Sequence, residues 1–125
     1  MIESLENKKI KEIVKLKQKK YRDKENKFII ETEHLIYEAY KKGLLLAIYK
    51  LENTNTESIN VETYIVNENV MKKISDLDNC KIIGIAKKLD NNKIAGNKII
   101  MLDNVQDPGN IGTIIRSALG FNIDT

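Results

Sequence analysis

The feature that most constrains the fold is a strand–turn–helix pattern close to the end of the 125-residue chain. Residues 99–102 are all apolar and have the length and composition of a buried strand. Asp107-Pro108-Gly109 follows as a dense turn signal and contains the only proline of the chain. A helical pattern then places these apolar side chains on one face: Ile111, Ile114, Ile115, Ala118 and Leu119. In open α/β sheets, ligands bind in the crevice at the carboxyl ends of the strands, so this loop is a candidate ligand site.

The residues before this stretch alternate between helical and strand patterns. The pattern predicts a helix over 3–20, a polar connection at 21–26, and strands at 27–31, 44–49, 61–66 and 81–86. Thr32 and Asn67 are favoured N-cap residues for two further helices, and Gly43 is suited to end the first of them. The first of these helices is expected to bury Leu35, Ile36, Ala39 and Tyr40.

This order of elements predicts an α/β protein with two domains. Residues 1–90 are expected to form an α/β sandwich, 91–97 a linker, and 98–125 the beginning of a second domain. The strand at 44–49 is almost entirely apolar and is therefore expected to be covered on both faces.

Positive charge is concentrated at the N-terminus. Residues 1–27 contain ten Lys or Arg against five Asp or Glu, whereas the remainder of the chain is slightly acidic. Such a patch favours polyanions through counterion release. The alternative interpretation is a solvated, lysine-rich helix face, and charge alone does not separate the two.

Composition narrows the class of protein. The longest apolar run, 44–49, is too short to span a membrane, and the charged N-terminus is unlike a signal peptide. Cys80 is the only cysteine, so an internal disulfide is excluded and no metal cluster is expected. A reducing cytoplasm fits this cysteine usage best.

Local chemistry explains why each residue type occurs at its position in the loop near the C-terminus. Pro108 fixes φ, and Gly109 permits the positive φ of a sharp reversal. Asn110 is suited to cap the helix or to turn its amide towards a ligand, and Gly112 allows close approach of another molecule. Arg116 shares a face with Gly112 and can hold a phosphate or stabilise a developing alkoxide. The alternative is an ordinary strand–turn–helix with an exposed arginine. The spacing matches neither a P-loop nor the dinucleotide fingerprint.

The same segment resembles the first motif of the SpoU-class RNA 2′-O-ribose methyltransferases, which belong to the SPOUT superfamily with a deep trefoil knot. The matching residues are Leu102, Asn104, Asp107-Pro108-Gly109-Asn110, Gly112, Arg116, Ala118 and Gly120. The N-terminal part is similar to the family's ribosomal-protein-like substrate-binding domain at Leu16, Arg22, Phe28 and Glu31. This resemblance implies a three-layer α/β/α fold for residues 1–90. Thr32 departs from the family, which usually has glycine after the glutamate.

The resemblance implies methyl transfer from S-adenosylmethionine to a ribose 2′-hydroxyl of ribosomal or transfer RNA. It implies that Asn110 positions the catalytic centre and that Arg116 helps to deprotonate the hydroxyl or holds the neighbouring phosphate. No metal is expected. The family's second and third motifs, which bind the cofactor, are not found here. We therefore expect a truncated methyltransferase that does not bind S-adenosylmethionine tightly. The family is homodimeric through the knotted domain, so this fragment would be left as a monomer.

The basic N-terminal segment is the predicted RNA-binding region. Its candidate residues are Lys15, Lys19, Lys20, Tyr21 and Arg22. Two alternatives to the methyltransferase function stay open for the chain. The first is a non-catalytic RNA-binding module resembling the ribosomal proteins. The second is a nucleotide-dependent enzyme of another α/β family that uses the loop for phosphate.

Overall fold

The computed structural model describes residues 1–90 and 93–125, which form two compact units, Met1–Leu89 and Asp90–Thr125. The first two residues of the predicted linker at 91–97 lie outside the described residues. Unit 1 contains α1 (Lys8–Lys15), α2 (Lys19–Glu25), β1 (Lys27–Ile30), α3 (Glu33–Lys41), β2 (Leu45–Lys50), β3 (Glu62–Ile65), α4 (Glu68–Ile74) and β4 (Ile82–Lys87). Unit 2 contains α5 (Pro108–Gly120). Along the described residues, no helix is long and apolar enough to cross a membrane.

The four strands of unit 1 form one mixed sheet in the order β1-β4-β2-β3. The central strand β4 runs antiparallel to both β1 and β2, whereas β2 and β3 are parallel and are joined by a crossover at one edge. Gly84 of β4 lies opposite Ile30 of β1 and Ile48 of β2, so it sits in the middle of the sheet.

Both faces of the sheet are covered, which confirms the predicted three-layer α/β/α architecture. On one face, α1 and α4 pack Ile10, Ile13 and Val70 onto alternate sheet residues such as Ile83 and Ile85. On the other face, α3 packs Ile36 onto the intervening sheet residues, which are Ile30, Leu45, Ile48, Ile82 and Ala86. The period-two alternation along β4 therefore supplies two separate cores.

Local signals correctly predicted the ends of α3 and α4. The Thr32 hydroxyl accepts the Leu35 N–H at 3.4 Å, and the Asn67 side chain accepts the Val70 N–H at 2.9 Å. Gly43 has a φ of 67° after the last residues of α3, as a left-handed helix terminator requires. The prediction that Leu35 is buried is wrong, because its side chain is 50% exposed.

The N-terminal helix prediction is also wrong in its bounds, because α1 begins at Lys8 rather than at residue 3. The predicted helix at 3–20 is interrupted after Lys15, and the predicted polar connection at 21–26 is largely the helix α2. The interruption occurs because Leu16 turns into the core, where it is 6% exposed, while its N–H bonds back to Ile13. Asn26 then ends α2 with a φ of 53°. No proline or glycine marks this turn, so the sequence pattern continued through it.

Unit 2 corrects the prediction of a buried strand. Residues 99–102 are not assigned as a strand, and their side chains are exposed. The backbone N–H of Ile100 bonds to Thr125 O at 2.8 Å, and that of Asp124 bonds to Lys98 O at 2.8 Å, so a short extended pairing with the chain end is present. Within the described part of unit 2 no side chain is buried. A strand requires partners on its edges and faces, and the described residues of this unit supply only this short one.

A second tie in unit 2 involves Gly96 and Asp124. The Asp124 carboxylate accepts the backbone N–H groups of Asn97 at 2.9 Å and Lys98 at 3.0 Å. Gly96 has a φ of 82°, and a Cβ at this position would collide with the Asp124 side chain. These bonds hold the turn at 95–98 against the end of the chain.

Candidate functional site

The turn between α1 and α2 brings three of the predicted RNA-binding residues together. The ammonium groups of Lys15 and Lys20 each lie 5.6 Å from the centroid of the Tyr21 ring. Both lysines are exposed, and Tyr21 is half-buried. The interrupted helix makes this arrangement, because the break after Lys15 turns α2 so that Tyr21 faces the end of α1. A cation placed over an aromatic ring is a stabilising geometry, and it leaves the lysine heads accessible to phosphate.

Lys19 is exposed at the first residue of α2. The Asp23 carboxylate, one turn further on, forms an ion pair with Lys88. That ion pair is the main cause of a lowered pKa of Asp23, to which the charges of Lys19 and Arg22 add. Lys19 therefore lies on an exposed, charged face of α2.

Arg22 makes structural contacts that the sequence did not predict. Its Nη1 donates to the carbonyl oxygens of Leu16 at 3.1 Å and Lys17 at 2.7 Å. These two carbonyls belong to the turn after α1. Carbonyl groups at the end of a helix have no hydrogen-bond partner within the helix. The guanidinium thereby fastens α2 to the end of α1 and supports the position of Tyr21. An RNA contact by Arg22 stays a prediction.

A second tyrosine cluster lies at the other end of α1. Tyr49 and Tyr64 stack with ring centroids 4.8 Å apart, and the Lys9 ammonium lies 4.3 Å from the Tyr64 centroid. Lys9 also hydrogen-bonds the Tyr64 hydroxyl and pairs with Glu62 at 3.8 Å. Tyr49 is only 5% exposed, and burial raises the pKa of its phenol. Tyr49 and Tyr64 are register partners on the neighbouring parallel strands β2 and β3, and the sequence alone does not reveal that pairing.

The start of α5 differs from the sequence prediction. Asp107 is the N-cap, and its carboxylate accepts the Asn110 N–H at 2.9 Å. Asn110 is thus the third helical residue rather than the cap, and its exposed side chain has no hydrogen-bond partner among the described residues. Gly109 is helical and lacks the predicted positive φ, which instead occurs at Asn104. A Cβ at Gly109 would lie 3.3 Å from the Asp107 carboxylate, so glycine makes room for the cap.

Gly112 and Arg116 share a face of α5, as their spacing predicts. Arg116 Nε donates to Gly112 O at 3.4 Å, which draws the guanidinium back towards the N-terminus of the helix. The space around Gly112 is open, because a Cβ there would meet no atom within 4 Å. The positive end of α5 is therefore lined by the exposed Asn110 amide, the open backbone at Gly112 and the Arg116 guanidinium. This arrangement suits an anionic ligand.

Comparison with known proteins identifies the class. Residues 7–84 match the MRM3-like substrate binding domain, which covers more than half of the chain. The chain therefore belongs to the SpoU-class RNA 2′-O-ribose methyltransferases that carry this domain, and the resemblance stated from the sequence is confirmed.

Particular relatives agree with this family. The chain is 35% identical over 128 residues to the 23S rRNA (guanosine(2553)-2′-O)-methyltransferase RlmP of Bacillus subtilis, covering 98% of this chain and 52% of that protein. A crystal structure of an RNA 2′-O ribose methyltransferase superposes with a TM-score of 0.76 at 26% identity, over 95% of this chain and 51% of the other. An AdoMet-bound rRNA methyltransferase from Sinorhizobium meliloti gives a TM-score of 0.70 at 32% identity, over 94% and 49%. The chain thus spans about half the length of these relatives.

Proposed function

We propose that this chain is the RNA-binding portion, together with the first catalytic segment, of an S-adenosylmethionine-dependent RNA 2′-O-ribose methyltransferase acting on ribosomal or transfer RNA. The observation that carries the proposal is the cluster of Lys15, Lys20 and Tyr21, which lies inside the region matched by the substrate-binding family. The names of the relatives, which are rRNA methyltransferases, support the same reaction and favour ribosomal RNA.

In this proposal, α5 supplies two residues of the transfer site. An unactivated ribose hydroxyl is a weak nucleophile, so its proton must be withdrawn and the resulting alkoxide stabilised. Arg116, drawn towards the helix N-terminus by Gly112 O, is placed to hold the adjacent phosphate or the developing negative charge. Asn110 presents a free amide six residues before Arg116, suited to position the ribose.

This chain by itself is a poor fit for the cofactor. Within the described part of unit 2 no side chain is buried, and both Asn110 and Arg116 are exposed. Small-molecule sites bury most of their ligand in a concave, largely apolar pocket. We therefore assign no cofactor contact to these residues, and calorimetric titration of the chain with S-adenosylmethionine should show no stoichiometric binding.

RNA binding is tested by charge reversal. Combined Lys15→Glu, Lys19→Glu and Lys20→Glu changes should weaken affinity for an rRNA fragment and flatten its dependence on salt, because each lost phosphate contact lowers the slope by about 0.7–0.9. The control variant reverses three exposed lysines elsewhere in unit 1: Lys42, Lys72 and Lys73. Fluorescence anisotropy across a salt series measures both quantities. Equal losses for the two variants would place the RNA-binding face elsewhere.

Catalysis is tested in a full-length protein that contains this chain. Asn110→Ala and Arg116→Ala should each lower transfer of a labelled methyl group to RNA by roughly 10²–10³-fold, the scale for loss of a charge-stabilising donor. Neither change touches the Lys15, Lys20 and Tyr21 cluster of unit 1, so RNA should still bind. RNA binding without any methyl transfer by the full-length protein would instead favour a non-catalytic RNA-binding module.

The same proposal extends to the cellular compartment and the oligomeric state of the protein. Cys80 is a free thiol and the relative of 35% identity is bacterial, so we assign the protein to the cytoplasm.

Ile115, Leu119 and Phe121 of the α5 region are 59%, 77% and 78% exposed, an apolar surface suited to cover by further methyltransferase residues and by a second subunit. Analytical ultracentrifugation should give a dimer for a full-length protein and a monomer for this chain.

A further inference from the structure

A cleft of about 420 Å³ lies entirely within unit 1. Residues of α1 and α2 line one side, and residues of β2 and β3 line the other. Its volume falls within the range of pockets that hold small ligands, on the order of 300–1,000 Å³. Two of its lining residues, Lys15 and Tyr21, are among the RNA-binding residues predicted from the sequence.

The apolar walls of the cleft suit a flat aromatic ring. Tyr21 lines it from α2, and Leu46 lines it from a bulge in β2. Leu46 was expected to be covered by the fold but is 40% exposed, because the bulge between Leu45 and Ala47 turns its side chain out of the two cores. Tyr21 is half-buried, so its ring is held in place while part of it stays accessible.

Cations surround the Tyr21 end of the cleft. Lys15 and Lys24 line it together with Lys27, and Lys20 lies over the outer side of the Tyr21 ring. The acidic lining residues are Glu12, Glu25 and Glu62, of which Glu62 is paired with Lys9 at the far end. The Tyr21 end is therefore net positive, which complements a phosphate group attached to the ring that enters the cleft.

We propose that this cleft is a subsite for one unstacked nucleotide of the RNA substrate, with its base against Tyr21 and Leu46 and its phosphate near Lys15 and Lys24. This inference rests on the proposed RNA-binding function and specifies its mode. A base can enter only where the RNA strand is unpaired, because bases in a duplex are already stacked on their neighbours. Stacking on an aromatic side chain tolerates any base, so the subsite selects single-stranded structure rather than sequence.

The test compares a 12-nucleotide RNA with the same RNA paired to its complement, using fluorescence anisotropy on the whole chain. Tyr21→Leu should weaken single-strand binding about tenfold, the scale for loss of one stacked base. It should leave duplex affinity and both salt slopes unchanged, because no phosphate contact is removed. A free mononucleotide that binds as tightly as the single strand would overturn the assignment to RNA.

Tyr37→Leu is the matched control, since Tyr37 is 44% exposed on α3 and also has a lysine over its ring, Lys41 at 4.7 Å, but lies outside the cleft. It should bind both RNAs as the unchanged chain does. Equal losses for Tyr21→Leu and Tyr37→Leu, or equal losses for single strand and duplex, would overturn the subsite while leaving the proposed function intact. No binding of either RNA by the unchanged chain would overturn both.

A second measurement covers the case in which Tyr21→Leu does not fold. A 2-aminopurine base in the 12-nucleotide RNA should change its fluorescence on binding to the unchanged chain and to Tyr21→Phe, which keeps the ring. An unchanged 2-aminopurine signal on saturation would overturn base insertion without reference to any destabilised variant.

Discussion

Gly84 illustrates how a single residue sets the packing of the central strand. A Cβ at this position would lie 2.8 Å from Leu45 Cδ1, 3.0 Å from Ile30 Cγ1 and 3.1 Å from Ile36 Cγ1. Gly84→Ala should therefore lower the free energy of unfolding by about 1–3 kcal/mol through overpacking. Urea unfolding followed by tyrosine fluorescence reports on unit 1 alone, because all five tyrosines lie in it.

Gly112→Ala is the control for this change. The space around Gly112 is open and the residue is helical, so alanine there should not disturb unit 1. A Gly84→Ala variant that unfolds at the same urea concentration as the unchanged chain would show that the side chains of Leu45, Ile30 and Ile36 can move aside at no cost.

Asp124 provides a pH-dependent tie at the residue scale. Hydrogen bonds from the backbone N–H groups of Lys98 and Asn97 lower the pKa of this carboxyl below its ordinary value. A lowered folded-state pKa means that the tie is fully present above the ordinary pKa and is lost as pH falls through the lowered one. Protection of the Asn97 and Lys98 amides, measured by NMR as their hydrogen exchange relative to the intrinsic rate at each pH, should fall across that acidic range.

Asp124→Asn should leave the protection of these two amides, relative to their intrinsic exchange rates, much less dependent on pH, since the charge that titrates is gone. Asp103→Asn, at another exposed carboxyl of unit 2, should keep the acid-dependent step. If the step persists in Asp124→Asn, a different group controls the turn.

At the scale of elements, Arg22 joins α1 to α2. Arg22→Met removes the two hydrogen bonds to Leu16 O and Lys17 O and should lower the stability of unit 1 by about 1–3 kcal/mol, the range for hydrogen bonds from a charged group. Lys19→Met removes the same charge from an exposed residue and should change stability by less than about 0.5 kcal/mol. Urea unfolding measures both, and equal values would mean that Arg22 has no capping role.

The same elements show which predictions the sequence supports. Thr32, Asn67 and Gly43 mark helix ends through their own backbone and side-chain chemistry, and each lies where it was predicted. The break after Lys15 depends instead on burial of Leu16 and on the guanidinium of Arg22, six residues further along the chain. Such tertiary contacts leave no local pattern, so one continuous helix was predicted.

The features of the candidate site also separate into those that a local sequence pattern predicts and those that depend on tertiary contacts. Its spacing correctly placed Gly112 and Arg116 on one face of α5, because helical periodicity fixes that relation. Of the two roles that the sequence leaves open for Asn110, the cap belongs instead to Asp107, for which proline at the first helical position is the stronger signal. The grouping of Lys15 and Lys20 around Tyr21 required the helix break and could not be read from charge.

For the whole molecule, the described residues show a strongly uneven distribution of burial. Every buried hydrophobic residue described belongs to unit 1. A 13-residue helix such as α5 is marginal in water without tertiary packing, whereas the nine-residue α3 is fastened to the sheet by Ile36. Native-state hydrogen exchange with mass spectrometry should therefore show slow exchange in β2 and β4, intermediate exchange in α3 and fast exchange in α5.

The comparison of α3 with α5 makes this prediction specific, because helix length alone would give the opposite order. Ile36→Ala provides the matched variant: removing the anchor should speed exchange in α3 towards that of α5 and leave α5 unchanged. Protection of α5 equal to that of β4 in the unchanged chain would contradict the uneven burial. It would mean that the apolar face of α5, which includes Ile115 and Leu119, is covered in solution.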